Sequence, residues 1–215
     1  MDKPKSALYD GFAWVGQALA SGRRVEILDL LAQGERSVDE LAGALGLSEA
    51  NCSQHLQVLK GAGLVAGRRE GIRVFYQPAS PEVLALLNLL RDVARDHSAE
   101  VRALAERYLG GEVEALTGRE LRSRLRRGDV VVVDVRPEEE YRAGHIPGAR
   151  SVPIEELEAR LAEIGDQHEV VAYCRGRFCA YAHQAVRLLT AAGHRARRLE
   201  GGLPEWRLAG FRVES

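Results

Sequence analysis

The pattern of apolar residues changes at Gly110-Gly111, and this change constrains the fold more than any other feature of the sequence. Before the glycine pair, apolar residues recur mainly at the helical spacing of three or four positions. After it, short apolar runs such as Val130–Val133 and Glu169–Tyr173 alternate with helical segments, which is typical of a parallel sheet with crossover helices. The sequence therefore predicts two domains: a mainly α-helical one over residues 1–109 and an α/β one with a central parallel sheet over residues 112–215.

The first domain has the start and stop signals of short helices followed by a hairpin. The predicted helices begin with the periodic apolar set from Leu8 to Leu19 and continue over residues 23–32, 37–45 and 48–62. Ser37 and Glu40 have the spacing of a capping box, and Ser48 precedes the fourth helix. Two β-prone runs then flank a turn at Gly71. This order of elements predicts a winged helix-turn-helix, whose second helix reads the major groove while the hairpin, or wing, flanks it.

A long helix is predicted from Pro81 to Tyr108, because apolar positions alternate at spacings of four and three. The stripe consists of Val83, Leu87, Leu90, Ala94, His97, Val101, Leu104 and Tyr108. Such a heptad pattern favours burial against a partner helix, as in a homodimer. The alternative is that the stripe packs on its own domain.

The helix over residues 50–62 has one buried and one polar face on a helical wheel. Cys52, Leu56 and Leu59 form the apolar stripe. The candidate DNA-binding residues on this helix are Ser53, Gln54, His55, Gln57 and Lys60. Their side chains are short donors and acceptors of the kind that contact base edges and phosphates, although His55 on the flank is as suited to packing.

The wing adds basic residues to this surface. From Cys52 to Tyr76 the cations are Lys60, Arg68, Arg69 and Arg73, against a single acidic residue, Glu70. A local positive region of this kind attracts the DNA backbone. The alternative is a helical protein-interaction domain with a solvated, charged hairpin.

The segment Ser53-Gln54-His55-Leu56-Gln57-Val58-Leu59-Lys60-Gly61-Ala62-Gly63-Leu64-Val65 resembles the recognition helix and wing start of the ArsR/SmtB family of bacterial repressors. The resemblance covers about residues 6–108. It implies a homodimer built from the first and last helices, binding to double-stranded operator DNA, and repression that an inducer relieves.

The inducer sites that this resemblance implies are not intact. The stretch Glu35–Leu41, where the family carries its thiolate ligands for arsenic or cadmium, has no cysteine. In the zinc site of the last helix, His97 and Glu100 match one pair of ligands, but Leu84 and Leu86 replace the other. We therefore expect no metal site and no cofactor. His97 is interpreted as a polar residue of the dimer seam, with metal or pH sensing as the alternative, and Cys52 as a core thiol.

The loop Cys174-Arg175-Gly176-Arg177-Phe178-Cys179 is the candidate reactive centre of the second domain. Cys174 ends a predicted strand and a helix begins within a few residues, so its sulfur lies at the carboxyl end of the sheet, near backbone N–H groups and a helix N-terminus. That position lowers a thiol pKa and stabilises an anion. Arg175 and Arg177 add positive charge, and Gly176 is expected to permit a tight loop. An inert cysteine at a strand end is the alternative.

The second domain resembles the rhodanese superfamily over about residues 112–213. The resemblance rests on Asp134-Val135-Arg136, Glu140-Tyr141, Gly144-His145-Ile146-Pro147-Gly148-Ala149 and Leu199-Glu200-Gly201-Gly202-Leu203-Pro204-Glu205-Trp206. It implies that Cys174 takes a sulfane sulfur from a small donor, carries it as a persulfide and passes it to a thiol acceptor. Arg175 and the N–H groups of the loop over Gly176, Arg177 and Phe178 would hold the substrate anion. Asp134, Arg136 and Glu140 are expected to brace the fold.

The loop departs from the pattern of the common sulfurtransferases, because its glycine is two residues after the cysteine and a second cysteine, Cys179, is five after. The departure argues against thiosulfate as donor, and Ala180 replaces the arginine that the related phosphatases need. One hypothesis is that Cys174 and Cys179 form a two-cysteine sulfur or redox switch. In the other, Cys179 is a small residue at a helix start.

Composition sets the remaining limits. The formal net charge is −1, so overall charge gives no sign of nucleic-acid binding. Three cysteines, no signal-like apolar segment and no bilayer-length apolar stretch lead us to expect a cytoplasmic protein without a membrane partner. Two functions follow: a transcriptional regulator that senses reactive sulfur or redox state through Cys174, and a thiosulfate or persulfide sulfurtransferase with an accessory DNA-binding domain. The missing metal ligands favour the first.

Overall fold

The computed structural model describes residues 3–165 and 167–215 and contains two compact units. We call Met1–Arg91 the helical unit and Asp92–Ser215 the sheet unit. The division falls before the Gly110-Gly111 pair, which the sequence pattern suggested as the boundary. The reason is packing, because the helical segment just before that pair contacts the helix Ala180–Ala191 of the sheet unit.

The helical unit follows the element order of a winged helix-turn-helix. Its helices are α1 (Lys3–Leu19), α2 (Gly22–Leu31), α3 (Val38–Leu45), α4 (Glu49–Gly61) and the first part of α5 (Pro81–His97). Its strands are β1 (Arg36–Ser37), β2 (Val65–Glu70) and β3 (Arg73–Pro78), paired antiparallel in the order β1-β3-β2. The predicted helices and hairpin are confirmed. The short strand β1, which extends the wing to three strands, was not expected.

Local capping fixes the first helix of the helix-turn-helix. The Ser37 hydroxyl accepts a hydrogen bond from the Glu40 N–H at 3.4 Å, and the Glu40 carboxylate accepts one from the Ser37 N–H at 2.8 Å. Two of the N–H groups that the helix start would leave unpaired are thereby satisfied. The capping box predicted from the sequence is present. The core behind it is apolar and includes Ile27, Leu41 and Leu56.

The single heptad helix from Pro81 to Tyr108 was a wrong prediction. The helix ends at His97, and α6 (Ala99–Leu109) starts after Ser98, whose hydroxyl accepts a hydrogen bond from the Val101 N–H at 3.2 Å. Part of the predicted heptad stripe also packs within the same chain, because Val83 and Leu87 lie in the core of the helical unit. The local cap at Ser98 therefore overrides the continuous apolar period.

The sheet unit has a five-stranded parallel sheet with helices around it, as expected. The strands are β4 (Ala115–Leu116), β5 (Val130–Asp134), β6 (Arg150–Ser151), β7 (Glu169–Tyr173) and β8 (Ala196–Leu199), in the order β4-β8-β7-β5-β6. The helices after α6 are α7 (Gly118–Arg127), α8 (Glu138–Arg142), α9 (Leu161–Ile164), α10 (Ala180–Ala191) and α11 (Leu203–Leu208). None of the helices in the described part of the chain has the length and hydrophobicity to cross a bilayer.

A fully buried ion pair lies at the carboxyl end of β5. The guanidinium of Arg136 donates to both carboxylate oxygens of Asp134, at 2.6 to 3.1 Å, and neither side chain is exposed to solvent. Arg136 also donates to the carbonyl of Gly144 at 2.8 Å. The pair therefore ties the end of β5 to the segment that follows α8.

Candidate functional site

The polar face of α4 is the candidate DNA-contacting surface of the helical unit. Cys52, Leu56 and Leu59 are fully buried, as the helical wheel predicted. On the other face, Gln54, Gln57 and Lys60 are exposed, while Ser53 and His55 are half-buried at its edges. The side chains available for base contacts thus come from one helix whose orientation the apolar stripe fixes.

The arginines of the wing are less free than the sequence suggested. Arg68 forms ion pairs with Glu35 at 2.8 Å and Glu70 at 2.6 Å. Arg73 lies 3.8 Å from Asp39, and the Nε of Arg69 donates to the carbonyl of Gly71 at 3.2 Å. The sequence pattern set four cations against Glu70 alone. The fold also brings Glu35, which precedes β1, and Asp39 of α3 close to the wing arginines. Hydrogen bonding from Arg68 lowers the pKa of Glu35, so this carboxylate is charged at neutral pH.

In the sheet unit, Cys174 directly follows β7 and Cys179 directly precedes α10. The structure joins the two residues in a disulfide, with their Cα atoms 6.2 Å apart. Cys174 is fully buried and Cys179 is half-buried. The arrangement closes the six-residue segment 174–179 into a ring, which we call the reactive loop.

Arg175 of the reactive loop faces a carboxylate instead of an open anion site. Its Nε and Nη2 donate to Glu140 at 2.6 to 3.1 Å, and Glu140 is only 6% exposed. The sequence assigned Arg175 to the substrate and Glu140 to the fold. The structure instead pairs the two, so that Arg175 holds the start of the loop against α8.

Arg177 is also paired. Its Nη1 donates to Asp92 at 3.1 Å and its Nη2 to Glu200 at 2.8 Å, both within the sheet unit. These carboxylates are 85 and 23 residues away in sequence, so no local pattern reveals them. The neighbouring Phe178 lines a cavity with residues of α6.

Gly176 does not have the conformational role expected of it, since its φ angle is outside the left-handed region. The glycine that the loop requires is Gly202, at the start of α11. A methyl group on Gly202 would overlap the carbonyl of Cys174 and the N–H of Gly176. The sequence shows this glycine as part of the pair Gly201-Gly202. Only the structure shows that Gly202 packs against the backbone of Cys174 and Gly176.

Backbone N–H groups of the reactive loop remain available. Within the described residues, no backbone or side-chain acceptor bonds to the N–H groups of Gly176, Arg177 or Phe178, whereas the Cys179 N–H donates to the Gly176 carbonyl at 3.1 Å. Because α10 begins at Ala180, its N-terminus adds a partial positive charge beside them. This geometry suits a thiolate or a small anion.

Two other sequence candidates lie outside both surfaces. Cys52 is fully buried in the helical core, and burial raises the pKa of its thiol. His97 is exposed at the end of α5 and Glu100 is exposed in the first turn of α6. Across residues 3–165 and 167–215, the His, Cys, Asp and Glu side chains form no group of three that is placed to hold a metal ion.

Comparison with known proteins agrees with both halves of this description. The family model for "Bacterial regulatory protein, arsR family" matches residues 21–66, and the "Rhodanese-like domain" model matches residues 117–209. The HTH-type transcriptional regulator Rv0324 of Mycobacterium tuberculosis is 50% identical over 210 residues, which cover 98% of this chain and 93% of that protein.

Two further relatives match the first half alone. The transcriptional activator HlyU of Vibrio cholerae is 46% identical over 74 residues, 34% of this chain and 68% of that protein. The solution structure of fragment 1–100 of Mb0332 from Mycobacterium bovis, described as a homodimeric winged helix-turn-helix DNA-binding domain, has 48% identity and a TM-score of 0.44. It covers 46% of this chain and 93% of its own. On the full-length match, this chain belongs to the arsR family of HTH-type transcriptional regulators and carries a rhodanese-like domain in its second half.

Proposed function

We propose that the protein is a homodimeric repressor that binds operator DNA through α4 and responds to reactive sulfur through Cys174 and Cys179. The observation that carries the sensing part is the position of both cysteines in one loop, close enough to be joined in a disulfide. The DNA-binding part rests on membership of the regulator family and on the exposed polar face of α4.

DNA recognition is assigned to α4 and the wing. Gln54 and Gln57 have the amide groups that pair with adenine edges, and Ser53, His55 and Lys60 lie beside them. Arg69 and Arg73 of the wing have weaker contacts within the chain than Arg68, so they are the better phosphate ligands. For Arg68 to contact a phosphate, its ion pairs with Glu35 and Glu70 must first open.

Dimerisation is assigned to α1 together with α5. Four large apolar side chains of α1 are each more than half exposed: Leu8, Tyr9, Phe12 and Trp14. The helical unit also exposes Leu86, Leu89 and Leu90 on α5. Apolar area of this extent is costly in water and is typical of a protein interface. An isologous dimer would present two copies of α4 to the two half-sites of an operator.

The chemistry begins with the reduced reactive loop. The Cys174 thiolate attacks the outer sulfur of a small persulfide, forming Cys174–S–SH and releasing the donor's thiol. The Cys179 thiolate then attacks the Cys174 sulfur, which forms the Cys174–Cys179 disulfide and expels hydrogen sulfide. Two protein thiols are oxidised and one sulfane sulfur is reduced, so the step needs no further reactant. The free N–H groups of Gly176 and Phe178 stabilise the anionic sulfur during transfer.

Arg177 supplies the first link from the loop to a helix. It lies between the two cysteines in sequence and holds Asp92 of α5. The preceding residue of α5, Arg91, belongs to the helical unit and pairs with Asp29 of α2 at 2.6 Å. We propose that closing or opening the disulfide repositions Arg177 and thereby the α5 turn that contains both residues. Such a change biases the dimer between two operator-binding states.

Intact mass measurement of the reduced protein after exposure to a persulfide donor tests the chemistry. Wild type is expected to lose about 2 Da as the disulfide forms, and Cys179→Ser to gain about 32 Da as a stable persulfide. Cys174→Ser is expected to stay unchanged. Cys52→Ala is the matched control and should behave as wild type, because Cys52 lies in the apolar core of the helical unit, away from the reactive loop, and burial there raises the pKa of its thiol. Equal product masses for wild type and Cys179→Ser would contradict the two-cysteine mechanism.

Operator binding by wild type and Cys174→Ser, each with and without the donor, tests the regulatory role. The donor should change the affinity of wild type by about tenfold or more, as allosteric coupling commonly does, and should leave Cys174→Ser unaffected. Equal affinity in all four cases would refute sensing. Multiple turnovers of sulfur transfer by that same protein would then favour the sulfurtransferase function instead.

A further inference from the structure

The helix α7 of the sheet unit carries more positive charge than any other helix in the described part of the chain. Its ten residues, Gly118–Arg127, include five arginines and a single acidic residue, Glu120. The chain as a whole has a formal net charge of −1, so this excess is local. A local excess of one sign bears on the binding of charged partners and not on the fold. The sulfur chemistry of the reactive loop makes no use of it.

The rotation of α7 about its axis is fixed by its caps and its apolar side. The Thr117 hydroxyl accepts a hydrogen bond from the Glu120 N–H at 3.3 Å, and the Glu120 carboxylate accepts one from the Thr117 N–H at 2.8 Å. Gly128, in the left-handed conformation, ends the helix. Leu121 is fully buried in the sheet unit, and Leu125 packs against the same core. The residues that α7 presents to solvent are therefore defined.

Three of the five arginines lie along one exposed strip of α7. Arg119, Arg122 and Arg126 have the spacing i, i+3, i+7, and all three are exposed. At 3.6 residues per turn they fall within an arc of about 60° and extend over about 10 Å of the helix axis. Glu120 lies outside this arc, about 100° from Arg119, and its carboxylate is held at the helix start by Thr117. We call Arg119, Arg122 and Arg126 the basic strip.

The basic strip differs from the other two arginines of α7 in its lack of carboxylate partners. Arg124 pairs with Glu169, and Arg127 pairs with Asp129 at 2.9 Å. Among the residues that the structure describes, no carboxylate lies at ion-pair distance from any arginine of the strip. Three neighbouring guanidinium groups thus repel one another without a counter-charge from the protein, and a bound polyanion would relieve this repulsion.

The geometry of the strip suits phosphate groups. The guanidinium of Arg122 lies over the ring of Phe211, 4.9 Å from the ring centre, which positions it while its N–H donors stay available. The planar fork of an arginine matches the oxygens of a phosphate. Each DNA strand has one phosphate per about 3.4 Å of the duplex axis, so the length of the strip corresponds to about three phosphates.

DNA is favoured over an acidic protein as the partner because of what else the chain contains. The helical unit belongs to a family of HTH-type transcriptional regulators. When that unit is bound to DNA, the sheet unit is tethered to the same molecule, and its effective concentration near the phosphates is high. A contact that would be weak on its own then adds to the affinity of the whole chain.

We propose that the basic strip of α7 binds the phosphate backbone of double-stranded DNA, which gives the chain a second DNA contact in addition to α4 and the wing. The inference rests on DNA binding by the helical unit, which is part of the proposed function. Phosphate contacts carry no base information. The strip therefore raises the affinity for any duplex and the dependence of that affinity on salt, without changing the preferred sequence.

Fluorescence anisotropy of the reduced full-length protein with a labelled duplex of random sequence, measured at several salt concentrations, tests the proposal. The triple variant Arg119→Gln, Arg122→Gln, Arg126→Gln is expected to reduce the slope of log affinity against log salt by about 2–3 for each strip in contact. Its affinity at low salt should fall by about tenfold or more. Gln57→Ala should bind this duplex as wild type does, because random DNA is bound without base readout.

The matched control is a second triple variant, Arg127→Gln, Arg142→Gln, Arg212→Gln. It removes the same charge from the sheet unit, but at exposed arginines that already have carboxylate partners. Its salt slope should stay close to that of wild type. Equal slopes for the two triple variants would overturn the proposal, because the effect would then come from net charge alone.

The double variant Arg119→Gln, Arg126→Gln keeps the contact between Arg122 and Phe211 and so protects the test against a loss of folding. It should reduce the slope by about 2 for each strip in contact, and an unchanged slope would contradict the proposal. A poly-glutamate peptide tests the acidic-protein alternative. Wild-type DNA binding by the first triple variant, together with loss of peptide binding, would assign the strip to a protein partner and overturn the proposal.

The outcomes separate this inference from the proposed function. If wild type failed to bind any duplex even at low salt, both would be refuted. If wild type bound operator DNA through Gln57 but the strip variants kept the wild-type slope, only the second DNA contact would be refuted.

Discussion

The two units use their arginines in different ways. In the helical unit, the wing arginine Arg68 forms its ion pairs on the surface, with about half of its side chain exposed. In the sheet unit, Arg136 is completely buried against Asp134, and Arg175 is held by a carboxylate that is almost completely buried. The sequence alone suggested that both the wing arginines and Arg175 bind anions.

Burial explains the difference. A solvated ion pair opens at little cost, so a wing arginine is able to exchange a carboxylate for a phosphate. A buried pair is effectively permanent, because separating its members leaves a charge without a partner in a medium of low dielectric. Arg175 is itself partly exposed but has a buried carboxylate partner, so we expect it to stay paired with Glu140, whereas we expect the wing arginines to exchange their carboxylates for phosphates.

The largest effect is expected from Asp134→Ala, which leaves Arg136 buried without a counter-charge. We expect the free energy of unfolding of the sheet unit to fall by about 3–5 kcal/mol. Urea unfolding followed by tryptophan fluorescence in a Trp14→Phe background reports on this unit, because the tryptophan that remains, Trp206, is buried in it. The matched change in the helical unit, Arg68→Gln, should leave the urea midpoint of the sheet unit unchanged. A similar loss from both variants would remove the contrast between the units.

Glycine-to-alanine changes should have opposite signs in the two units. Gly202→Ala is expected to destabilise the sheet unit by about 1–3 kcal/mol, since its methyl group overlaps the backbone of the reactive loop. Gly43→Ala, within α3 and with open space around it, should stabilise the helical unit by about 0.5–1 kcal/mol. Thermal unfolding of each variant measures both effects. A stable Gly202→Ala protein with normal disulfide formation would show that the loop does not depend on this contact.

Gln57→Ala is expected to reduce operator affinity by about tenfold, because an amide that pairs with a base edge contributes about 1–3 kcal/mol of discrimination. The reactive loop should be unaffected, and its disulfide should form as in wild type. Gln184→Ala on α10 is the control, since Gln184 is also an exposed glutamine on a helix and lies outside the helical unit. Fluorescence anisotropy with labelled operator DNA measures the affinity. Equal affinities for the two variants would place base recognition elsewhere.

The smallest effect concerns acid stability. Hydrogen bonding from Arg197, at 2.7 Å, lowers the pKa of Glu169, and Arg124 also pairs with this carboxylate. A lowered folded-state pKa means that the stabilisation is present above the ordinary carboxyl pKa, about 4.3, and is lost as the pH falls through the lowered value. Glu169→Gln should therefore cost about 1 kcal/mol at pH 7, and less as the pH falls through that range. A difference that stays constant down to pH 2 would exclude this origin.

Local signals predicted most of the fold. The capping box at Ser37, the cap at Ser48 and the apolar strand at Val130 each depend on neighbours in sequence, and all three appear in the structure. The break at Ser98 was missed because its cap competes with an apolar period that continues through it. Ser98 itself could have predicted the break, since serine is among the preferred residues at the N-cap position of a helix.

The candidate site was predicted less completely. The positions of Cys174 and Cys179 follow from the strand and helix that flank them, so the sequence places them together. The partners of Arg175 and Arg177 do not follow, because Glu140 and Asp92 reach the loop only through the packing of α8 and α5. Long-range pairing of this kind depends on the tertiary structure and has no periodic pattern in the sequence.

The position of Gly202 has an evolutionary consequence. The glycine pair before α11 looks like part of a reactive-site motif. In the structure, however, the backbone at Gly202 packs directly against the carbonyl of Cys174. The steric requirement for glycine at this position thus comes from the shape of the loop and not from the identity of the nucleophile. We expect relatives that have lost the cysteine to keep the glycine as long as the loop keeps its course. We also expect insertions in the loop to be accompanied by changes at Gly201-Gly202. Among such proteins, the glycine motif would then mark an inherited backbone geometry, and only the cysteines would mark sulfur chemistry.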